Sequence, residues 1–348
     1  MNDPSWPFAP PVFPMEARVR DELPAPPGWA YEPKWDGFRT VAWSGPEPRL
    51  DSRNQRPLLR YFPELVPALA SLPGGTVVDG EVVVVRAGRL DFQALQNRLH
   101  PAESRVRLLA AETPAALLAF DLLADRGDDL RALPYDTRRA RLERLFTSLS
   151  PSWHLTPSTR DAEIAALWFR EFESAGCDGI VAKRVGGLYV EGKREMVKVK
   201  HRRSVDAVVA GYRLHKDGDR VGSLLLGLYD GRGKLHFVGH CSSFSDVQAV
   251  AVLDLLRGLA GSDAFGPEAR RPGAESRWTG DKDLSWEPLR PELVVQVSYD
   301  QLTGGRFRHA TRFERWRPDK DPEDCTFDQL ERPAGPGFAD VVGGARVA

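Results

Sequence analysis

Cysteine and methionine are both scarce in this sequence, with three residues of each among 348. Cys177, Cys241 and Cys325 lie far apart in the chain, and none belongs to a CxxC pair. This arrangement excludes a disulfide framework and a cysteine-ligated zinc site as the basis of the fold. Unpaired cysteines are typical of a reducing compartment, and we therefore predict a cytoplasmic protein.

Long apolar runs are also missing. None approaches the roughly 18 residues of a membrane span, and the N-terminal residues lack the basic-then-apolar order of a signal peptide. Neither sign of charge is in excess, because 48 Lys and Arg oppose 49 Asp and Glu, a formal net charge of −1. Any basic surface for nucleic acid must therefore be local. We predict no membrane contact.

Proline is abundant, and five of the 28 prolines fall in the first fourteen residues. Each removes a backbone donor and disfavours helix, so we predict an irregular arm over residues 1–27. At the other end, residues 332–348 contain little to bury, and we predict a flexible tail there.

The chain between these ends divides into two patterns. In residues 28–202, β-rich runs such as 76–85 and 179–183 alternate with helical patterns such as 159–175, where Ser158 or Thr159 is a candidate N-cap. This alternation predicts an α/β (α+β) domain. In residues 203–331 the pattern is mainly strands, and we predict a small β-barrel of the OB-fold type.

The expected elements of this barrel are four strands and one helix. The strands cover residues 205–213, 221–230, 234–241 and 293–299, the helix covers 245–259, and a loop covers 261–283.

The segment around Lys34 combines charge with alternation. In an extended conformation Glu32, Lys34 and Asp36 share one face. A surface strand with an i,i+2 ion pair would explain this pattern, and so would a reactive lysine between carboxylates.

In the run from Val197 to Lys200, alternation likewise sends two valines to one side and Lys198 and Lys200 to the other, which indicates either a solvated basic strand or a phosphate site.

Seven short motifs occur in order between residues 32 and 320. They are 34–39 (KWDGFR), 52–54 (SRN), 78–82 (VDGEV), 119–122 (AFDL), 178–183 (DGIVAK), 197–200 (VKVK) and 317–320 (RPDK). Together they resemble the motifs of covalent nucleotidyltransferases, most closely the ATP-dependent DNA ligases of the small ligase-C type and the ligase domain of ligase D. One position departs from the pattern: the fourth motif of the family usually begins with Glu, and this chain has Asp178, which leaves the geometry of metal contact open.

The resemblance implies a nucleotidyltransferase (adenylation) domain followed by an OB-fold domain, and a role for each matching residue. Lys34 is the nucleophile that forms lysyl-AMP, assisted by Lys198 and Lys200, while Arg317 and Lys320 from the OB-fold domain orient pyrophosphate. The residues implied in ATP binding are Glu32, Asp36, Arg39, Arg53, Glu81, Phe120, Lys183, Lys198 and Lys200. Those implied in binding Mg²⁺ or Mn²⁺ are Glu81 and Asp178, with Asp36 as a third candidate.

Several of these residues have a structural alternative. Phe120 lies in an apolar run and would suit a core, Glu81 would suit a solvent-facing strand, and Arg39 and Arg53 would suit a soluble surface. The proposed attack needs a neutral Lys34 amine. We expect Lys198, Lys200 and a bound cation to favour that form, and we expect Glu32 and Asp36 not to pair permanently with Lys34.

The implied substrate is nicked or broken duplex DNA, sealed through an adenylylated 5′-phosphate in repair or end joining. We expect a nucleoid-associated monomer that works with a Ku-like end-binding protein or a repair polymerase. Two enzymatic alternatives share the lysine motif, an RNA ligase and an mRNA-capping guanylyltransferase. The alternative from another class is a catalytically silent DNA-end-binding module.

Overall fold

The computed structural model describes residues 6–146, 151–266, 272, 285–330 and 334–343. The chain forms two compact units. The first contains Met1–His201 together with Arg332–Ala348, and the second contains Arg202–Glu331. The second unit is therefore an insertion in the chain of the first.

The first unit combines two sheets with six short helices among its described residues. The strands are β1 (Glu16–Val19), β2 (Trp29–Lys34), β3 (Phe38–Trp43), β4 (Arg49–Ser52), β5 (Val77–Arg86), β6 (Arg89–Leu90), β7 (Ala115–Asp125), β8 (Asp128–Asp129), β9 (Trp153–Leu155), β10 (Gly179–Arg184) and β11 (Arg194–Lys200). The helices are α1 (Val66–Ala70), α2 (Phe92–Asn97), α3 (Glu103–Glu112), α4 (Tyr135–Leu145), α5 (Ala162–Glu171) and α7 (Phe338–Val342).

The two sheets of this unit have simple orders. In the first, the strands lie in the order β1-β11-β10-β2, and β1 is parallel to β11 while the other pairs are antiparallel. In the second, the order is β4-β3-β5-β7-β8, with β6 beside β5 and β9 beside β7. The valine-rich run expected to be a strand is β5, whose mostly buried pattern explains its composition.

The helix predicted over 159–175 is shorter than expected. It is α5, and its N-cap is Asp161 rather than Ser158 or Thr159, because the Asp161 carboxylate accepts hydrogen bonds from the backbone N–H groups of Glu163 and Ile164. Thr159 instead pairs its backbone with Tyr31 of β2. That long-range pairing removes Thr159 from the helix.

The N-terminal arm is more ordered than we predicted. Its second half contains β1, which runs beside β11, and Val12 and Met15 are 2% and 4% exposed. The prediction of an irregular segment throughout 1–27 was wrong here. The strand forms because the edge of β11 supplies backbone partners, which local propensity does not reveal.

The prediction of a flexible tail was also wrong for residues 334–343. Phe338 and Val341 of α7 are 6% and 1% exposed and pack in the core of the first unit. Residues 331–333 and 344–348 lie outside the described part of the chain.

The described part of the second unit contains a five-stranded antiparallel sheet and a two-stranded one. Its elements are β12 (Arg203–Leu214), β13 (Val221–Tyr229), β14 (Leu235–Cys241), α6 (Asp246–Arg257), β15 (Glu287–Tyr299), β16 (Leu302–Thr303), β17 (Arg306–Phe307) and β18 (Arg312–Trp316). The strand order of the five-stranded sheet is β14-β13-β12-β15-β18, and β16 and β17 form the two-stranded one. Thr311, just before β18, bridges to Cys241 at the end of β14, which brings the two edges of the sheet together as in a barrel.

The four strands expected in this unit correspond to β12, β13, β14 and β15, and the expected helix corresponds to α6. Ser245 caps this helix in a capping box with Gln248. Of the loop predicted over 261–283, residues 267–271 and 273–283 fall outside the described part of the chain. No helix among the described residues is long and apolar enough to cross a membrane.

Candidate active site

The register of the first sheet collects the candidate lysines on one face. Gly179 in β10 is paired with Lys34 on one side and with Lys200 on the other. Two residues further along β10, Val181 is paired with Glu32 and with Lys198. Because residues paired across a sheet share a face, the alternation read from the sequence directs all four charged side chains to the same side.

Lys34 and Lys200 meet on a single carboxylate oxygen. The Nζ of Lys34 lies 2.9 Å from Oδ2 of Asp178, and the Nζ of Lys200 lies 3.1 Å from the same oxygen. Asp178 is 1% exposed, whereas 21% of the Lys34 side chain is exposed. The Lys34 amine is therefore partly exposed, whereas the carboxylate that binds it is buried.

These contacts set the protonation of the group. Burial opposes the charge on Lys34, but Asp178 together with Glu81 and Asp36 outweighs it and raises the pKa of the amine. Burial also opposes the charge on Asp178, and the two lysines outweigh it and lower the pKa of that carboxyl. Among the protein's own groups, the balance thus favours the ammonium form of Lys34, opposite to the direction that we expected from Lys198 and Lys200.

Lys198 behaves differently from Lys34. Burial and the neighbouring cations Lys34, Lys200 and Arg53 lower the pKa of its amine. No carboxylate compensates to the same degree, although Glu16 acts in the opposite direction. These cations repel one another, and an anion bound among them would reduce that repulsion.

Glu81 lies next to the turn that follows Lys34. Its Oε1 accepts a hydrogen bond of 2.7 Å from the backbone N–H of Gly37, and a Cβ on Gly37 would lie 2.4 Å from the carbonyl oxygen of Val82. Glycine at this position therefore allows the turn after Lys34 to approach β5. Burial raises the pKa of Glu81 to about 7, against the opposing effects of Lys34 and the Gly37 N–H.

The carboxylates of this site suit a hard divalent cation. Oδ1 of Asp178 is buried and makes no hydrogen bond within the described part of the chain. Glu81 and Asp36 act electrostatically on the same Lys34 amine as Asp178 does. Carboxylate oxygens are the donors that Mg²⁺ prefers, so the donor set fits this ion.

A second group of contacts surrounds Phe120. The Nζ of Lys183 lies 2.8 Å from Oε2 of Glu32, donates a hydrogen bond of 2.7 Å to the carbonyl oxygen of Phe120, and lies 4.7 Å from the centre of the Phe120 ring. Tyr135 donates a short hydrogen bond to the other oxygen of Glu32. Glu32 thus pairs with Lys183 rather than with Lys34, in agreement with our expectation for its charge.

Arg39 forms an ion pair with Asp79. The guanidinium makes two hydrogen bonds to that carboxylate, of 3.1 and 2.7 Å, and lies 5.4 Å from the centre of the Phe120 ring. Tyr189 donates a further hydrogen bond of 2.6 Å to Asp79, which is fully buried. The contacts of Arg39 place it beside the ring implied in stacking on adenine.

The remaining sequence candidates have other partners. Arg53 is 59% exposed and pairs with Glu16 of β1 at 2.7 Å. In the second unit, Arg317 pairs with Asp206 at 2.7 Å and with Asp319 at 2.9 Å. The backbone N–H of Lys320 donates to the carbonyl oxygen of Arg317 in the same turn.

Sequence reasoning missed two tyrosines that support the site. Tyr135 begins α4 and reaches Glu32, and Tyr189 reaches Asp79 from a loop. Neither lies in a motif or shows a local pattern that marks it. Asp79 itself carried a signal, since it shares a face of β5 with Glu81.

Comparisons with known proteins agree with this geometry. Residues 17–200 match the family model described as the ATP dependent DNA ligase domain, and residues 217–320 match the one described as the ATP dependent DNA ligase C terminal region. The chain is 51% identical to DNA ligase C2 of Mycolicibacterium smegmatis, over 94% of this chain and 96% of that protein. It is 34% identical to the multifunctional non-homologous end joining protein LigD of Pseudomonas aeruginosa, over 90% of this chain and 36% of that protein.

A solved structure of a Lig E DNA ligase shares the fold. Its TM-score is 0.53 at 18% identity, over 83% of this chain and 93% of that one. Together with the two family models, this likeness confirms the predicted fold class, an adenylation-type domain followed by an OB-type domain.

Proposed function

The chain belongs to the ATP-dependent DNA ligase family, and we propose that Lys34 is the side chain that carries the adenylate. The observation that carries this proposal is the contact of Lys34 and Lys200 with one oxygen of Asp178, with Lys198 on the same face of the sheet. This arrangement places one amine in contact with a buried carboxylate and supplies two further cations for phosphate oxygens.

The first step forms a phosphoramidate. The Nζ of Lys34 attacks the α-phosphorus of ATP, a nitrogen–phosphorus bond forms, and the bond to the bridging oxygen of pyrophosphate breaks. The amine must lose its proton to solvent before it attacks, because an ammonium has no free electron pair. Asp178 works against this loss, so its contact with Lys34 has to weaken when the triphosphate enters.

We propose Asp178 and Glu81, with Asp36, as the ligands of Mg²⁺ or Mn²⁺. A cation at these carboxylates would neutralise the charge that keeps Lys34 protonated and would offset charge on the phosphates. The buried, unbonded Oδ1 of Asp178 supports this assignment.

The nucleotide pocket that we propose lies between the two sheets of the first unit, which we take as the adenylation domain. Phe120 would stack on adenine, since base–aromatic stacking contributes about 1–3 kcal/mol. Arg39 would contact the nucleotide, and Arg53 would contact the nucleotide or the nick phosphate. The contacts of Lys183 with Glu32 and Phe120 suggest that Glu32 and Lys183 shape the adenine end of the pocket.

The later steps transfer AMP to DNA and release it. An oxygen of the 5′-phosphate at a nick attacks the adenylate phosphorus, the bond to Lys34 breaks, and a pyrophosphate linkage forms. The adjoining 3′-hydroxyl then attacks the 5′-phosphorus, loses its proton and displaces AMP. In the second unit, which we take as the OB-fold domain, Arg317 and Lys320 are proposed to orient pyrophosphate in the first step.

DNA binding through phosphates should weaken as salt rises. We further propose that the protein acts on nicks and broken ends in the cytoplasm as a monomer, with a Ku-like end-binding protein or a repair polymerase as partner. The match to an end-joining protein over 90% of this chain supports this context.

The decisive experiment labels the protein with ATP. Wild type, incubated with α-labelled ATP and Mg²⁺, should carry label that maps to Lys34 and passes to the 5′-phosphate of a nicked DNA duplex. Lys34→Arg keeps the positive charge but lacks the nucleophilic amine, and it should take no label. The same variant should still seal a nick that is already adenylylated, because that step does not need the lysine nucleophile.

Parallel reactions test the alternatives. Labelling by GTP in preference to ATP would indicate a capping enzyme, and sealing of RNA in preference to DNA would indicate an RNA ligase. Absence of label from wild type would contradict the proposal and favour a silent binding module.

A further inference from the structure

The C-terminal segment returns to the first unit and packs directly behind the proposed nucleophile. The second unit is inserted between His201 and Arg332, and the chain then re-enters the first unit. The short helix α7 forms there, with Phe338 and Val341 buried. This placement joins the last part of the chain to a site built from its first 200 residues.

Phe338 contacts the residue that follows Lys34. Its ring packs edge-to-face on Trp35 with 5.8 Å between ring centres, and on His154 with 5.2 Å. The backbone N–H of Phe338 donates a hydrogen bond of 2.7 Å to the carbonyl oxygen of Gly88. Trp35 is also fixed from another side, because its Nε1 donates to the hydroxyl of Thr156 at 3.0 Å.

The same apolar cluster supports the carboxylate partner of Lys34. Cys177, which precedes Asp178, is 2% exposed and belongs to the cluster that contains Trp35, Phe338 and Val341. Since Trp35 follows Lys34 and Cys177 precedes Asp178, both halves of the ion pair are attached to residues of the cluster that α7 completes.

The segment before α7 is also anchored to the first unit. The Ser174 hydroxyl donates a hydrogen bond of 2.8 Å to the carbonyl oxygen of Pro336, and a Cβ on Gly335 would lie 2.6 Å from the same hydroxyl. These contacts show that the chain approaches Ser174 closely on its way to α7.

We propose that Phe338 is a positioning residue for enzyme adenylylation: it holds Trp35 in place and thereby keeps Lys34 aligned with Asp178. This inference rests on the proposed role of Lys34. Loss of the Phe338 ring leaves a cavity beside Trp35, into which Trp35 can shift. A displacement of about 1 Å at a reacting group can cost on the order of 10²-fold in rate.

The test compares variants with similar loss of stability. Phe338→Ala removes the ring, and Phe338→Leu keeps most of the apolar volume. Leu69→Ala is the control, because Leu69 is fully buried in a different cluster of the same unit. Val341→Ala is a milder change at α7, and it replaces Phe338→Ala in the test if that variant does not fold.

Rapid single-turnover assays measure the two steps separately, at a temperature where all variants are folded. We expect Phe338→Ala to lower the maximum rate of lysyl-AMP formation about tenfold or more, within the range set by misalignment. The ATP concentration for half-maximal rate should change little, and Phe338→Leu should recover most of the rate. The loss should be smaller for sealing a pre-adenylylated nick, which does not use Lys34 as nucleophile.

The maximum rate of lysyl-AMP formation, compared between matched variants, is a readout that general destabilisation would not move. Phe338→Ala should lose this rate and Phe338→Leu should recover it, whereas Leu69→Ala should keep it. Equal loss of rate in both variants, or an unchanged rate in folded Phe338→Ala, would overturn the inference. Absence of label on wild-type Lys34 would instead contradict the proposed function, so the two failures are distinguishable.

Discussion

Lys34 is bound by Asp178, which lies 144 positions later and directly before β10, and not by the carboxylates that flank it in its own segment. The contact is 2.9 Å long, and Asp178 is almost completely buried. Asp178 thereby favours the ammonium form of Lys34, whereas the adenylylation that we propose needs the neutral amine. The energetic consequence is that adenylylation should respond strongly to changes at Asp178.

We therefore expect Asp178→Asn to make the free Lys34 amine more reactive and to make lysyl-AMP formation slower. Without the carboxylate, the pKa of Lys34 should fall, so an amine-reactive reagent should modify Lys34 faster near neutral pH in the absence of nucleotide. Lysyl-AMP formation should nevertheless decrease about 10²-fold, the scale for removal of one preorganised charged group, because the proposed cation ligand is lost.

The matched control is Asp178→Glu, which restores both the carboxylate and the residue usual in the family. It should recover most of the adenylylation rate. If Asp178→Asn leaves the pH dependence of Lys34 modification unchanged, the ion pair does not control the amine.

Glu81 should make stability depend on pH. Burial raises the pKa of Glu81 in the folded protein to about 7, above the value near 4.3 of an exposed glutamate. Its favourable contribution to folding is thus fully present below about pH 4.3 and is lost as pH rises through about 7. Urea unfolding without divalent cations should therefore show Glu81→Gln gaining stability relative to wild type between pH 5 and 8.

The same ionisation should control the need for metal. Because only the carboxylate form of Glu81 is a good ligand, wild type should need less Mg²⁺ for half-maximal adenylylation at pH 8 than at pH 6. Glu81→Gln should need more Mg²⁺ at both values and lose most of this difference. A metal requirement that changes equally with pH in both proteins would rule Glu81 out as the responsible group.

Arg39 should contribute to stability as well as to nucleotide binding. Arg39→Ala leaves the fully buried Asp79 with the Tyr189 hydroxyl as partner. Breaking a fully buried pair costs about 3–5 kcal/mol, and we expect about 2 kcal/mol here because the Arg39 side chain is 20% exposed. Chemical denaturation measures the loss.

Two variants check this interpretation. Arg39→Ala combined with Asp79→Asn should recover part of the stability, since no unpaired carboxylate remains. Arg18→Ala, at a position 59% exposed, should change the free energy of unfolding by less than about 0.5 kcal/mol. Full stability of Arg39→Ala would mean that Asp79 is satisfied without it.

Arg317 should contribute more to the rate of lysyl-AMP formation than to the rate of nick sealing. If it orients pyrophosphate, Arg317→Ala should slow lysyl-AMP formation about 10²-fold, the lower end of the range for loss of one preorganised group that stabilises the transition state. Sealing of a pre-adenylylated nick should change much less. Single-turnover assays of both steps compare the variant with Asp319→Asn, which removes one of the two carboxylate partners and keeps the arginine. Equal losses in both steps would contradict this role.

Local pattern was sufficient to predict most elements and the faces of the charged residues. Strand alternation placed Lys198 and Lys200 together, and valine content marked β5 as a strand, because side chains alternate across any extended chain. The ordered motifs indicated the family, which the comparisons confirmed. The helix predicted over 245–259 agrees with α6 to within two residues at each end.

Local sequence pattern could not predict which of these residues contact each other. The amino-acid sequence by itself determined which side chains share a face and which chemistry they can perform, since both depend on residue type and period. Only the tertiary structure decided that Asp178 holds Lys34, that Lys183 takes Glu32, and that Phe338 supports Trp35. The physical reason is that these contacts join segments far apart in the chain, and they depend on which strands and helices lie next to each other after folding.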